Sequence, residues 1–151
     1  MSRCLGLTPI DLTEEEKIKL LPSLVLLLKM VPKIKQQGIF SVKEEIVSLD
    51  EDILMTIYNL FLSGHNPGAV KTIISNLIYT SNADNANRAR VAIFAEAFAF
   101  LGDEACHISL INLLILSHLG FEFRQTYKTE IEKHFPQDYC ESLFSLSSIS
   151  S

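Results

Sequence analysis

The sequence predicts an all-α protein, a compact bundle of six to eight short helices. Three observations carry that reading. Apolar residues recur at helical spacing, as Ile53, Leu54, Ile57, Leu60 and Phe61 do at i, i+1, i+4, i+7 and i+8. Capping residues and glycines punctuate the chain at helix-length intervals. No stretch alternates apolar and polar residues with the period of a strand.

Each helix has its own start and stop. Thr13-Glu14-Glu15-Glu16 is a capping box with acid in the first turn, so a helix begins there. Pro22 and Pro32 are expected to kink or divide it, because each removes a backbone donor. Gln36-Gln37-Gly38 ends it, with glycine suited to the residue after a helix. Ser41-Val42-Lys43-Glu44 reads as a second capping box, opening a short helix to about Ser48. Asp50 is expected to cap a helix from Glu51 to Ser63, stopped by Gly64. Asn66-Pro67 opens the next, to about Tyr79, burying Val70, Ile73, Ile74, Leu77 and Ile78.

Ser81–Asn87 reads as a loop and overlaps the start of the helix that follows, near Asn85 to Leu101, stopped by Gly102. Asp103 is expected to cap another, to His118 or Leu119, before Gly120. Phe121 to His134 makes one more, ended before Pro136, and Gln137–Phe144 adds a last turn or two. Residues 1–12 are expected to be an N-terminal extension, residues 13–144 a single helical domain, and residues 145–151 a Ser-rich tail.

Composition narrows the function classes. A chain of 151 residues with 48% hydrophobic and 21% charged residues has the apolar surface to order itself. Its formal net charge of −5 argues against nucleic acid and against an anionic membrane surface, where phosphates demand a basic face. Cys4, Cys106 and Cys140 show no paired spacing, which suits reduced thiols and a cytoplasmic location. The N-terminus has no apolar core of a secretion signal. Leu20–Met30, Val91–Leu101 and Ile108–Phe121 all fall short of the roughly 20 apolar residues a membrane span needs. We therefore expect a soluble protein without integral membrane insertion; peripheral association stays open.

Val91–Phe100 and Ile108–Leu119 are apolar almost all round. Such helices are central in a core or shared with another chain. They are expected to pair across Gly102-Asp103 and to supply part of a homo-oligomer or partner interface. Phe98 and Phe100, spaced i, i+2, face different sides: one is to fill the core, the other to reach a neighbour.

Reactive groups are few. Glu104-Ala105-Cys106-His107 holds one Glu-x-x-His, half of a di-metal bundle motif, with no second copy. Glu130 and His134 are spaced i, i+4. Cys106 and His107 are adjacent and point about 100° apart on a helix, wrong for a thiolate–imidazole pair. Glu96, alone among Ala and Phe, is expected to face solvent or meet Arg88 or Arg90. These readings favour no enzyme, no metal and no cofactor.

Two segments carry a more specific signal. One is Lys33-Ile34-Lys35-Gln36-Gln37-Gly38-Ile39-Phe40-Ser41-Val42-Lys43-Glu44-Glu45-Ile46. The other runs from Leu60 through Gly64-His65-Asn66-Pro67-Gly68 to Ile78. Together, over roughly residues 26–78, they resemble the cytoplasmic loop of the MotA/PomA flagellar stator proteins: a basic helix end, a glycine, a short apolar step, then helices joined by a glycine-containing turn. On the residues alone, Ile39, Phe40 and Val42 are expected to anchor the turn to the bundle. Lys33, Lys35, Gly38, Lys43, Glu44 and Glu45 then form a charged docking surface.

The resemblance implies a non-catalytic interaction protein of the flagellar motor. In the family, a basic residue three before the glycine and an acid five after it engage the rotor switch protein. The first position is Lys35; the second is Lys43, with its sign reversed and Glu44 beside it. The family's membrane helices have no counterpart here. Residues 85–134 put apolar helices in their place. The alternative is a generic helical adaptor with no motor role.

Overall fold

The computed structural model describes residues 5–64, 67–103 and 105–146, the side chain of Pro67 aside. Among them it is all-helical, with eight α-helices: α1 Glu14–Gln37, α2 Lys43–Ser48, α3 Asp52–Leu62, α4 Pro67–Thr80, α5 Asn85–Leu101, α6 Ile108–Leu119, α7 Arg124–Glu132 and α8 Gln137–Leu143. Short 3₁₀ turns at Ile39–Val42 and Phe121–Phe123 join α1 to α2 and α6 to α7. No described helix is long and apolar enough to cross a membrane.

α1 starts as the capping box requires. The Thr13 hydroxyl accepts from the Glu16 amide at 3.2 Å, and the Glu16 carboxyl accepts from the Thr13 amide at 2.9 Å. Neither proline divides the helix, which continues for 24 residues through both. Two local facts explain this. Both rings lie on the exposed face, so neither crowds the core. Each proline also strips the carbonyl four residues earlier of its helical donor. For Pro22 that carbonyl belongs to Ile18, which is half-exposed and open to water. For Pro32 it belongs to Leu28, and the Tyr139 hydroxyl of α8 donates to it at 2.6 Å. At the other end, Gly38 has φ +85 and its amide donates to the Ile34 carbonyl at 2.7 Å.

Three expected caps are replaced. Ser41 does not cap α2; it sits inside the 3₁₀ turn and donates to the Gly38 carbonyl at 2.6 Å, while Val42 precedes α2 without a side-chain bond. α3 is capped by Glu51 rather than Asp50: one Glu51 oxygen accepts from the Leu54 amide at 2.7 Å. Its other oxygen accepts from the Asn87 side chain at 3.1 Å and so links α3 to α5. α6 begins at Ile108, after His107, whose Nδ1 accepts from the Ser109 amide at 3.1 Å. Asp103 instead closes the preceding turn, accepting from the Ala105 amide at 2.9 Å.

The centre of the bundle is α5. Asp84 caps it, accepting from the Asn87 amide at 2.8 Å. Ala89, Ala92 and Ala95 are fully buried, and their small side chains let α1, α3, α4 and α6 approach closely. Around it the core is continuous and includes Leu28, Ile46, Ile131 and Leu143. Residues 5–12 belong to it as well. Leu5 and Leu7 are core residues, and the Tyr79 hydroxyl of α4 donates to the Thr8 carbonyl. Residues 5–12 of the stretch expected as an extension are therefore packed down.

Candidate docking surface

The charged turn is held from beneath. The Tyr58 side chain, fully buried, sends its hydroxyl to the Ile39 carbonyl at 2.6 Å. Burial and, secondarily, the nearby Glu45 push that phenol above its ordinary range, favouring the neutral donor. Val42 and Ile46 are buried and fix the inner side of the turn. Gly38 has open space where a Cβ would go, so its glycine is required by the positive φ alone.

The predicted charges divide into two groups. Lys33 pairs with Glu45 at 3.2 Å. Lys35 donates to the carbonyl of Cys106, tying the end of α1 to the loop before α6. These three residues brace the turn. Lys43 and Glu44 are exposed and make no ion pair among the described residues.

Phe40 corrects the expectation that it anchors the turn. It is 70% exposed, while Ile39 and Val42 pack inward. Val47 is also exposed, at 54%. Phe40, Lys43, Glu44 and Val47 are spaced 3, 4 and 7 apart and share one exposed stripe. That spacing was visible in the sequence; that the stripe faces water was not.

Of the pair Phe98 and Phe100, Phe98 is the one that fills the core. It is 1% exposed and meets Tyr58, Phe61 and Phe94 edge-to-face, with centroids 5.8, 5.9 and 6.2 Å away. It belongs to the core. Phe100 is half-buried. Beside the turn, a cleft of about 570 Å³ opens between the ends of α1, α3 and α5. Ile34, Ile39, Phe61, Phe98 and Leu101 line it with apolar surface, and Lys35 and Asp103 add one charge of each sign.

Glu96 neither faces solvent nor meets an arginine. Its carboxyl lies 2.8 Å from His118 Nε2, both side chains almost wholly buried, joining α5 to α6. Arg88 and Arg90 bond locally, to the Ser81 carbonyl and the Asn87 side chain. The other imidazole nitrogen, His118 Nδ1, is buried without a hydrogen-bond partner among the described residues. Two largely apolar stretches, Val91–Leu101 and Ile108–Leu119, each with one ionisable residue, were the available sequence signal; which two residues meet depends on how the helices cross.

The remaining reactive candidates are dispersed. His107 is occupied as a cap, and burial pushes the Cys106 thiol up, against a smaller lowering by Lys35. Glu130 and His134 meet at 3.0 Å on the exposed end of α7, and the imidazole holds the carboxyl below its ordinary range. Glu104 lies outside the described residues. No group of three His, Cys, Asp or Glu among the described residues could hold a metal ion. Comparison with models of protein families, with curated proteins and with solved structures finds no match to this chain.

Proposed function

We propose that this chain is a non-catalytic protein–protein interaction component, located in the cytoplasm, that docks through the stripe Phe40, Lys43, Glu44 and Val47. The observation that carries the reading is Phe40: a phenyl ring 70% exposed on a turn held by buried contacts and the Tyr58 hydrogen bond. Aromatic anchors on rigid supports lose little entropy on binding and dominate interface energies. The likeness of residues 26–78 to the stator cytoplasmic loop makes a flagellar motor component the partner of choice.

A second reading, a helical adaptor with no motor role, draws support from Lys35. The charge that the resemblance assigns to the rotor is engaged with the Cys106 carbonyl of its own chain. Titrating the purified rotor switch protein of the same source against wild type, Phe40→Ala and Lys43→Glu separates the two. Both variants should bind at least ~10-fold more weakly with unchanged circular dichroism. Wild-type affinity in both would remove the docking stripe. No binding by wild type would leave the adaptor reading in place of the motor.

A further inference from the structure

Phe40 follows Ile39 in the chain, and Ile39 lines the cleft. The face that carries the projecting ring thus adjoins, in the chain, a residue that lines an apolar hollow. The hollow, about 570 Å³, has ample room for a benzyl group. Phe40 does not fill its own hollow: it is 70% exposed, and the Gly38 backbone and the Tyr58–Ile39 bond hold the turn in place. The charges divide between the two features. Lys43 and Glu44 flank the ring, whereas Lys35 and Asp103 line the hollow.

A two-fold axis makes such a face complementary to itself, because residue i of one copy then meets residue j of the other, and j meets i. We infer that this chain forms a symmetric dimer in which Phe40 of each copy enters the cleft of the other. Lys43 then approaches Asp103 of the second copy. The inference rests on the reading of the turn as a docking stripe and names a second copy of the chain as its occupant. Dimerisation and docking of any other partner on that stripe are mutually exclusive.

The test is analytical ultracentrifugation of the full chain over a range of micromolar concentrations. Wild type should pass from monomer to dimer, and Phe40→Ala should weaken the dimer at least ~10-fold. Lys43→Asp alone and Asp103→Lys alone place like charges together twice in each homodimer, so each should run as a monomer. An equimolar mixture of the two restores both opposite-charge pairs and should dimerise. Asp103 also accepts from the Ala105 amide at 2.9 Å. Asp103→Asn keeps that acceptor, and should weaken the dimer while circular dichroism stays unchanged. Wild type that remains a monomer throughout, or a mixture that fails to associate, overturns the dimer. A monomer that binds the rotor switch protein through Phe40 sinks the dimer and keeps the docking reading.

Discussion

Between α5 and α6 a carboxyl and an imidazole lie out of water, 2.8 Å apart; at the turn after α1 a phenyl ring lies in it. Each placement carries a cost, and the two are met differently. In the α5–α6 seam, the desolvation of Glu96 is offset within the molecule by His118. At the turn, Phe40 is left 70% exposed among the described residues, although Tyr58, Val42 and Ile46 hold its backbone firmly. Polar groups buried and paired speak to which helices pack together. An apolar group exposed on a firm support speaks to what binds.

That contrast breaks most visibly at the aromatic cluster. Phe98→Ala should cost about 3–5 kcal/mol, since it empties a fully buried site ringed by Tyr58, Phe61 and Phe94. Urea denaturation measures it directly. Next comes the seam itself. His118→Leu leaves the Glu96 carboxyl buried without its partner and should cost roughly 3 kcal/mol. Adding Glu96→Leu should recover most of that loss. A single variant as mild as a surface change would show that the pair clamps nothing.

The clamp on α1 is smaller. Tyr139→Phe leaves the Leu28 carbonyl without a donor, a loss of about 1–2 kcal/mol. In a Pro32→Ala background the amide donor is restored, so the same substitution should cost much less; equal costs in both backgrounds would dismiss the account.

Alkaline pH probes the same bond. Burial, then the nearby Cys140, raises the Tyr139 phenol, and burial raises Tyr127 further. A folded-state pKa above the unfolded value of 10.0 contributes stability that is whole below that pH. It is lost as pH climbs toward the raised value. Melting temperature should therefore fall progressively above pH ~10, and less so in Tyr139→Phe. The smallest effect on stability is expected from Phe40→Ala, under ~0.5 kcal/mol, because its ring is mostly in water. A larger cost would return Phe40 to the role of an anchor.

What was readable in the sequence was local. The Thr13 capping box and the bounds of α5 depend on residues within one helical turn, and both stand as read. Local signals also misled where two readings shared a residue type. Ser41 has the spacing of a cap, but the turn after Gly38 claims its hydroxyl first. Asp103 has the identity of a cap, but it closes its own turn, and His107 caps α6. The non-local features were hidden. Glu96 and His118 are 22 residues apart, and nothing within one helix shows that they meet. The docking residues divide likewise: the charges of Lys33, Lys35 and Glu45 were legible, but not their use as internal braces. The exposure of Phe40 follows from which side of α2 the bundle occupies.

The bond between Tyr139 and the Leu28 carbonyl also says something about time. A chain emerges from the ribosome N-terminus first, and the two partners are 111 residues apart. Throughout that interval the first helix carries a carbonyl that Pro32 has deprived of its natural donor, and only water can serve it. α1 is thus unfinished as a buried element until α8 has been made. Committing α1 early to a dry environment would strand that carbonyl, so the chemistry of one proline favours a bundle that closes late, around its most recently synthesised helix.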